Sequence, residues 1–287
     1  MPWVNYHSHS LFCDGKAIPE DFIRPAIEQG FPAYGYSSHA PVPFVSKWNM
    51  SAEKLQDYLR EISRIKTEFS GRIQVYTGLE IDFIEGLWGF RQTGLKKSAL
   101  DYFIGSVHYI GQFPDGSHFC FDGQPEDFFK GIAIVYQNDF VKAITSYYHS
   151  VMRMTETDVP DVIGHMDKIK MHNSFMPYLN EEEKWYTDLV EETLEVIRQK
   201  GCIVEVNTRG LYKHNPPLLY PGKWILERLH QKKIPVMLNS DSHHPDEIKS
   251  GFTFAANLLV EIGFKTLRVL MDGRWQEKAF DENGLVF

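Results

Sequence analysis

Short apolar runs of strand length alternate with amphipathic stretches along most of this chain. Nearly every run carries a histidine or a carboxylate at or near its end. The runs are residues 3–9, 33–39, 74–83, 102–110, 161–167, 202–208 and 234–241, each rich in Val, Ile, Tyr or Phe and short enough for a buried strand. The stretches between them carry helix signals. Residues 19–29 open on Pro19, hold Glu20 and Asp21 in the first turn and stop at Gly30. Residues 51–69 follow a Ser cap and place Leu55, Tyr58, Leu59, Ile62, Ile65 and Phe69 on one face. Residues 180–200 start at Asn180, with Glu183 three positions on, and end at Gly201. Residues 222–233 and 245–262 read as helices, and 124–156 as a long helical region with a break near Asn138. Strand–helix alternation requires parallel pairing through right-handed crossovers. About seven such units predict a closed α/β barrel rather than an open sheet. No G-x-G-x-x-G follows any run, as a dinucleotide fold would need.

Nothing divides the 287 residues into parts, so one domain over residues 1–287 is expected. No apolar run reaches the length of a membrane span. The N-terminal residues hold His7, His9 and Asp14 in place of a secretory signal. With 30 basic and 38 acidic side chains the net charge is −8, the wrong sign for bulk nucleic-acid binding. Cys13, Cys120 and Cys202 are odd in number and widely spaced, which points to a reducing compartment, the cytoplasm. No feature decides the oligomeric state.

The histidines carry the functional signal. His7 and His9 lie two apart at the end of the first run, on one face of a strand. His39 ends the second run, Glu80 lies in the third, and His108 and His165 come late in the fourth and fifth. Glu205 and Asn207 fall in the sixth, and Asp241 and His243 end the seventh. In a parallel barrel these ends converge on one mouth. Six imidazoles (His7, His9, His39, His108, His165, His243) and three carboxylates (Asp14, Glu80, Asp241) then meet, more than one tetrahedral ion uses. They suit two or three ions that share a bridging carboxylate. His172, His214 and His230 read as surface or loop residues. His149 lies four residues before Arg153 on a helix face, which makes it a candidate pocket residue.

With these residues in place, the chain resembles the polymerase and histidinol phosphatase (PHP) family of metal-dependent hydrolases. The matching segments, in family order, are Tyr6-His7-Ser8-His9-Ser10, Ser37-Ser38-His39-Ala40-Pro41, Gly78-Leu79-Glu80-Ile81-Asp82, Gly105-Ser106-Val107-His108, Gly164-His165-Met166-Asp167 and Asn239-Ser240-Asp241-Ser242-His243. Ser38 to Phe44 and Glu205 to Lys213 look like the histidinol-phosphate phosphatase branch. The resemblance implies a distorted (β/α)7 TIM-like barrel, three divalent ions (Zn, Fe or Mn) at the C-terminal ends of the strands, and hydrolysis of L-histidinol phosphate in histidine biosynthesis. It implies one ion on His7, His9, Glu80 and Asp241, a second on Glu80, His108 and His165, and a third on Asp14, His39 and His243. Many members carry His where Asp14 stands.

Such a centre suits phosphate. Three divalent ions, less three carboxylates and a bridging hydroxide, leave a charge of about +2 for a phosphate dianion, and paired ions lower the pKa of a shared water. Glu80 is the expected bridge, and Asp241 or His243 is placed to assist proton transfer to the leaving alkoxide. Arg209, just past the sixth run, and Arg153, with His149, are the expected phosphate contacts, Lys213 a weaker one. Glu205, Asp82, Phe44, Trp48, Tyr109 and Tyr212 are candidate walls for the amine and imidazole of the substrate. The competing readings are a phosphoesterase for another small phosphate ester or nucleotide, an amidohydrolase, which would place a ligand Lys or bridging carboxylate on a middle strand, and a barrel without catalysis.

Overall fold

Residues 5–9 hydrogen-bond on both flanks and bring together the two outer strands of a parallel sheet. In a computed structural model, which describes residues 1–286, that sheet has six strands. They are β1 (Ala33–Tyr36), β2 (Gln74–Asp82), β3 (Tyr102–Ser106), then β6 (Val162–Ile163), β7 (Ile203–Asn207) and β8 (Val236–Asn239), paired in that order. A small antiparallel hairpin of β4 (Tyr109–Gln112) and β5 (His118–Cys120) falls between β3 and β6 in the chain. The expected first strand is present only as two bridges, Asn5 to Tyr34 and Ser8 to Ser242. Even so, Gly35 N donates to Asn5 O on one side and His9 N to Ser242 O on the other, both at 2.8 Å. The curled sheet therefore has the half-barrel form of a distorted TIM-like barrel. Strands β1, β7 and β8 are buried along their whole length, as expected of a sheet covered on both faces.

Tyr102 ties the centre together. Its hydroxyl donates to the carbonyls of Tyr6 and Tyr36, linking the first segment to β1. The ring fits because Gly35 and Gly78 have no side chain: a Cβ there would stand 2.5 and 2.4 Å from Tyr102 atoms.

The helices pack outside. α1 (Pro19–Glu28) starts on its proline. α2 (Leu55–Glu68) follows a single 3-10 turn and buries Tyr58, Ile62 and Ile65. The long helical region is two helices, α3 (Pro125–Tyr136) and α4 (Phe140–Thr157). Gln137 and Asn138 take positive φ between them, and Asp139 caps Lys142 N at 2.8 Å. α5 (Lys184–Lys200) starts later than expected, after a turn in which Asn180 Oδ1 accepts from Glu182 N. Then follow α6 (Arg209–Lys213) and α7 (Lys223–Gln231). α8 (Phe252–Ile262) is also shorter than expected, since Pro245–Glu247 form a separate turn capped by His244.

The sheet of β9 (Thr266–Met271), β10 (Arg274–Asp281) and β11 (Gly284–Leu285) was not foreseen. Its signal is Asp272-Gly273 between two strand-like runs, a tight hairpin turn with positive φ at both residues. It lies under the first segment, where Tyr6 donates its hydroxyl to Leu270 O at 2.7 Å. Tyr102→Phe removes the donor to two buried carbonyls. The expected loss is about 1–3 kcal/mol in denaturant unfolding; an unchanged midpoint would show that the hydroxyl does not hold the two segments together.

Candidate metal centre

Parallel strands deliver their C-terminal ends to one side, and the nine expected ligands meet there. The period of a strand puts His7 and His9 on one face, and Ser242 N donating to His7 O at 3.1 Å sets them beside Asp241. Asp241 itself adopts a left-handed backbone, φ 52°, a conformation that Asp tolerates and that recurs at functional sites. Its Oδ1 lies 3.2 Å from His9 Nε2 and 3.7 Å from His7 Nε2.

Glu80 divides its two oxygens. Oε2 stands 3.2 Å from His7 Nε2, 3.4 Å from His9 Nε2 and 2.9 Å from His39 Nδ1. Oε1 faces His165 Nε2 at 3.0 Å and His108 Nε2 at 3.6 Å, and accepts the Ser106 hydroxyl at 2.6 Å. Asp14 reaches in from the loop after the first segment, with Oδ2 3.2 Å from His243 Nε2 and Oδ1 3.9 Å from His39 Nε2.

An outer ring of polar groups orients these ligands. Glu205 Oε1 is 2.6 Å from His7 Nδ1, and Glu205 Oε2 accepts His165 N at 3.0 Å. Asp82 Oδ1 is 2.7 Å from His108 Nδ1. A carboxylate on one ring nitrogen holds the proton there and presents the other nitrogen to an ion. Glu205 and Asp82 are thus buried supports of the cluster, not the substrate walls expected of them.

The electrostatics match a centre built for cations. Burial and then the charges of His243 and His39 hold His9 well below the usual imidazole range. Burial alone would lower His7, but the charges of Glu205, Asp241 and Glu80 outweigh it and hold it well above. His39 is raised in the same way to about 9, with Glu80 the main opposing charge. Burial pushes Glu80 and Asp241 up, yet the surrounding imidazoles hold both well below the carboxylate range.

The residues fit divalent ions on an observation independent of any relative. His7 Nε2, His9 Nε2, Asp14 Oδ1 and Asp241 Oδ1 are buried without a hydrogen-bond partner among the described residues. Such atoms are costly unless an ion or water uses them. Ligand atoms gather within 4.8 Å of one another in three groups: His9, Asp14, His39 and His243; His7, His9 and Asp241; His39, Glu80 and His108. Compared with the expected partition, His9 and His39 each stand between two groups.

Arg209 also reaches the centre, where its Nη1 donates to Asp241 O at 2.8 Å and lies 2.8 Å from His243 Nδ1. Arg153 does not. It is half exposed on α4 and pairs with Glu85 and Glu156. His149 is exposed on the same helix and lines a separate surface hollow with Glu85. Their shared helix face is real, but it points away from the mouth. Lys213 pairs with Glu247, and Tyr212 donates to Ser240 O at 2.7 Å. Trp48 packs edge-on against His39 and His108 and stacks on Tyr109, beside Phe44. His172 and His214, expected as surface or loop residues, lie outside the helices and strands and line the metal cavity of about 470 Å³. Lys168 and Asp122 line it too, as an ion pair at 2.7 Å that has no motif to announce it.

The PHP domain family matches residues 5–209, and the chain belongs to that family. A relative is the histidinol-phosphatase of Bacillus subtilis (strain 168), 28% identical over 271 residues that cover 88% of this chain and 97% of that protein. Among solved structures, a Listeria monocytogenes protein assigned as a histidinol phosphatase superposes with a TM-score of 0.78 at 23% identity, over 88% of this chain and 99% of that one. The histidinol phosphate phosphatase of Lactococcus lactis subsp. lactis, complexed with Zn, L-histidinol and phosphate, superposes with a TM-score of 0.66 at 20% identity, over 99% of both chains. These two share the fold.

The split of Glu80 between two sets of imidazoles makes a prediction. Glu80→Ala should lower bound metal by more than one equivalent, and His243→Ala, at a residue that stands in one ligand group, by less. Elemental analysis of the two purified variants checks this, and equal losses would remove Glu80 as the shared ligand.

Proposed function

We propose that this chain is a metal-dependent phosphomonoesterase that hydrolyses L-histidinol phosphate to L-histidinol and inorganic phosphate. The observation that carries the reading is the Glu80 carboxylate, shared between five imidazoles from four segments at the mouth of a curled sheet. Descent from the same family as the Bacillus subtilis histidinol-phosphatase supports the substrate. His7, His9, Asp14, His39, Glu80, His108, His165, Asp241 and His243 would hold three divalent ions, with Zn, Fe and Mn all compatible with imidazole and carboxylate ligands. When bound, such ions supply an activated water at neutral pH and neutralise charge on phosphoryl oxygens.

The chain's own groups supply the rest. Arg209 is held against the Asp241 carbonyl by one guanidinium nitrogen, which leaves its other N–H groups for phosphate oxygens. Asp241 and His243, beside it, are the groups placed to hold or move a proton during the displacement. The cavity of about 470 Å³ accommodates a small ester, not a polymer. No helix among the described residues is long and apolar enough to cross a membrane. Cys13, Cys120 and Cys202 are free, in keeping with the cytoplasmic location proposed here.

Phosphate release from L-histidinol phosphate by metal-replete protein, beside a nitrophenyl phosphate control, tests the reading. Preferred turnover of histidinol phosphate, lost on chelation and restored by Mn, Zn, Fe or Co, is the expected result. Slow turnover of both esters would overturn it. Arg209→Ala should weaken inhibition by inorganic phosphate by about tenfold or more, the scale of one charge-assisted hydrogen bond, with metal content unchanged. Unaltered inhibition would take Arg209 out of the site.

A further inference from the structure

The cavity holds a second fixed cation that the nine ligands and Arg209 do not use. Lys168 opens the short turn Lys168–Lys170 just after His165, whose carbonyl accepts Lys168 N at 3.0 Å. Its side chain is 9% exposed, and Asp122 Oδ2 at 2.7 Å is the side-chain partner it has among the described residues. An ammonium has three donor protons, so one carboxylate leaves donors for another acceptor. A buried charge with so few partners is costly, and clefts that retain one are candidate functional sites.

Position decides what that acceptor is. On one side of Lys168 is the cluster: the charges of Asp241 and Glu80 act on the ammonium, and Asp122 lies 3.8 Å from His108 Nε2. The same cavity is also lined by Gln124, His172, His214 and Tyr220, none of them among the nine ligands. Here the Tyr220 hydroxyl and His172 Nε2 are buried and have no hydrogen-bond partner among the described residues. These groups have hydrogen-bonding capacity to spare and are not taken up by the nine ligands, so they suit the organic part of a phosphate ester. Towards the aromatic groove, in contrast, Trp48 stands edge-on against His39 and His108. Lys168 thus stands at the boundary between phosphoryl group and alcohol.

We propose that the Lys168 ammonium faces the ester oxygen, donates a hydrogen bond to it and offsets the negative charge that grows there as the bond breaks. Water supplies the new P–O bond, and the old P–O bond gives its electron pair to the alcohol oxygen. The alcohol leaves with one proton of that water and phosphate retains the other. Asp122 positions the ammonium. The proposal rests on the phosphatase reading above but not on L-histidinol phosphate as the substrate.

The test compares metal-loaded wild type and Lys168→Gln over phosphomonoesters whose alcohols run from L-histidinol and simple aliphatic alcohols to 4-nitrophenol, with bound metal measured alongside. Lys168→Gln should lose about 10²–10³-fold in kcat on aliphatic esters, the scale of one donor to a developing oxyanion. The nitrophenyl ester, whose leaving oxygen needs little help, should change far less, so the rate depends more steeply on the pKa of the alcohol. Metal content should stay level. A double variant, Lys168→Met with Asp122→Asn, leaves no unpartnered buried charge and should show the same steep dependence, which keeps the test open if Lys168→Gln fails to fold. An equal loss on all esters, no loss, or a fall in bound metal would overturn the role of Lys168. Wild-type turnover of none of the esters would overturn the phosphatase reading and this role with it. Turnover of aliphatic esters other than L-histidinol phosphate would overturn only the substrate, and the comparison of slopes would still decide Lys168.

Discussion

The carboxylate of Glu80 sits among five imidazole rings, out of contact with water, and a charge so placed persists only where cations surround it. The centre is arranged around that requirement. Imidazoles from separate segments approach both oxygens, and Glu205 and Asp82 in turn hold His7 and His108 in orientation. The acids around His7 and His39 raise both imidazoles above their usual range, which answers the same demand.

That geometry depends on the first segment bridging the two outer strands of the curled sheet. Ligands that lie far apart in sequence, His7 and Asp241, become neighbours because residues 5–9 bond to β1 on one flank and to Ser242 on the other. Tyr102 holds this seam from inside, in space left by Gly35 and Gly78, and the C-terminal hairpin supports it from below through Tyr6. Packing away from the mouth therefore bears on the position of the ligands, since a slip of one residue in the first segment would turn both histidines to the other face.

Much of this arrangement is legible in the sequence. A histidine or carboxylate at successive strand ends has one economical explanation in a parallel barrel, and all nine residues selected on that ground lie in the cluster. The errors share a cause. Arg153 and His149 were paired correctly on one helix face, but periodicity does not say which way that face points. Here it faces solvent and Glu85. Glu205 and Asp82 were recognised as acids near the mouth, yet whether an acid lines a wall or holds a ligand depends on a few ångströms. Lys168, Asp122, His172 and Tyr220 belong to no motif, and only the fold of loops that follow different strands brings them to one cavity.

The sequence by itself determined the alternation of strands and helices and which histidines and carboxylates stand at strand ends, because these follow from residue type and from periods of two and 3.6, which are local properties of the chain; its ordered motifs carried the resemblance to the PHP family. It also carried the Asp272-Gly273 turn of the terminal hairpin, a local signal too. The tertiary structure alone decided how the ligands group, which arginine reaches the centre, which carboxylates support imidazoles, and where a buried ammonium stands. Those are distances between segments far apart in the chain, such as His7 and Asp241, and they are set by how the curled sheet brings its outer strands together rather than by any pattern along it.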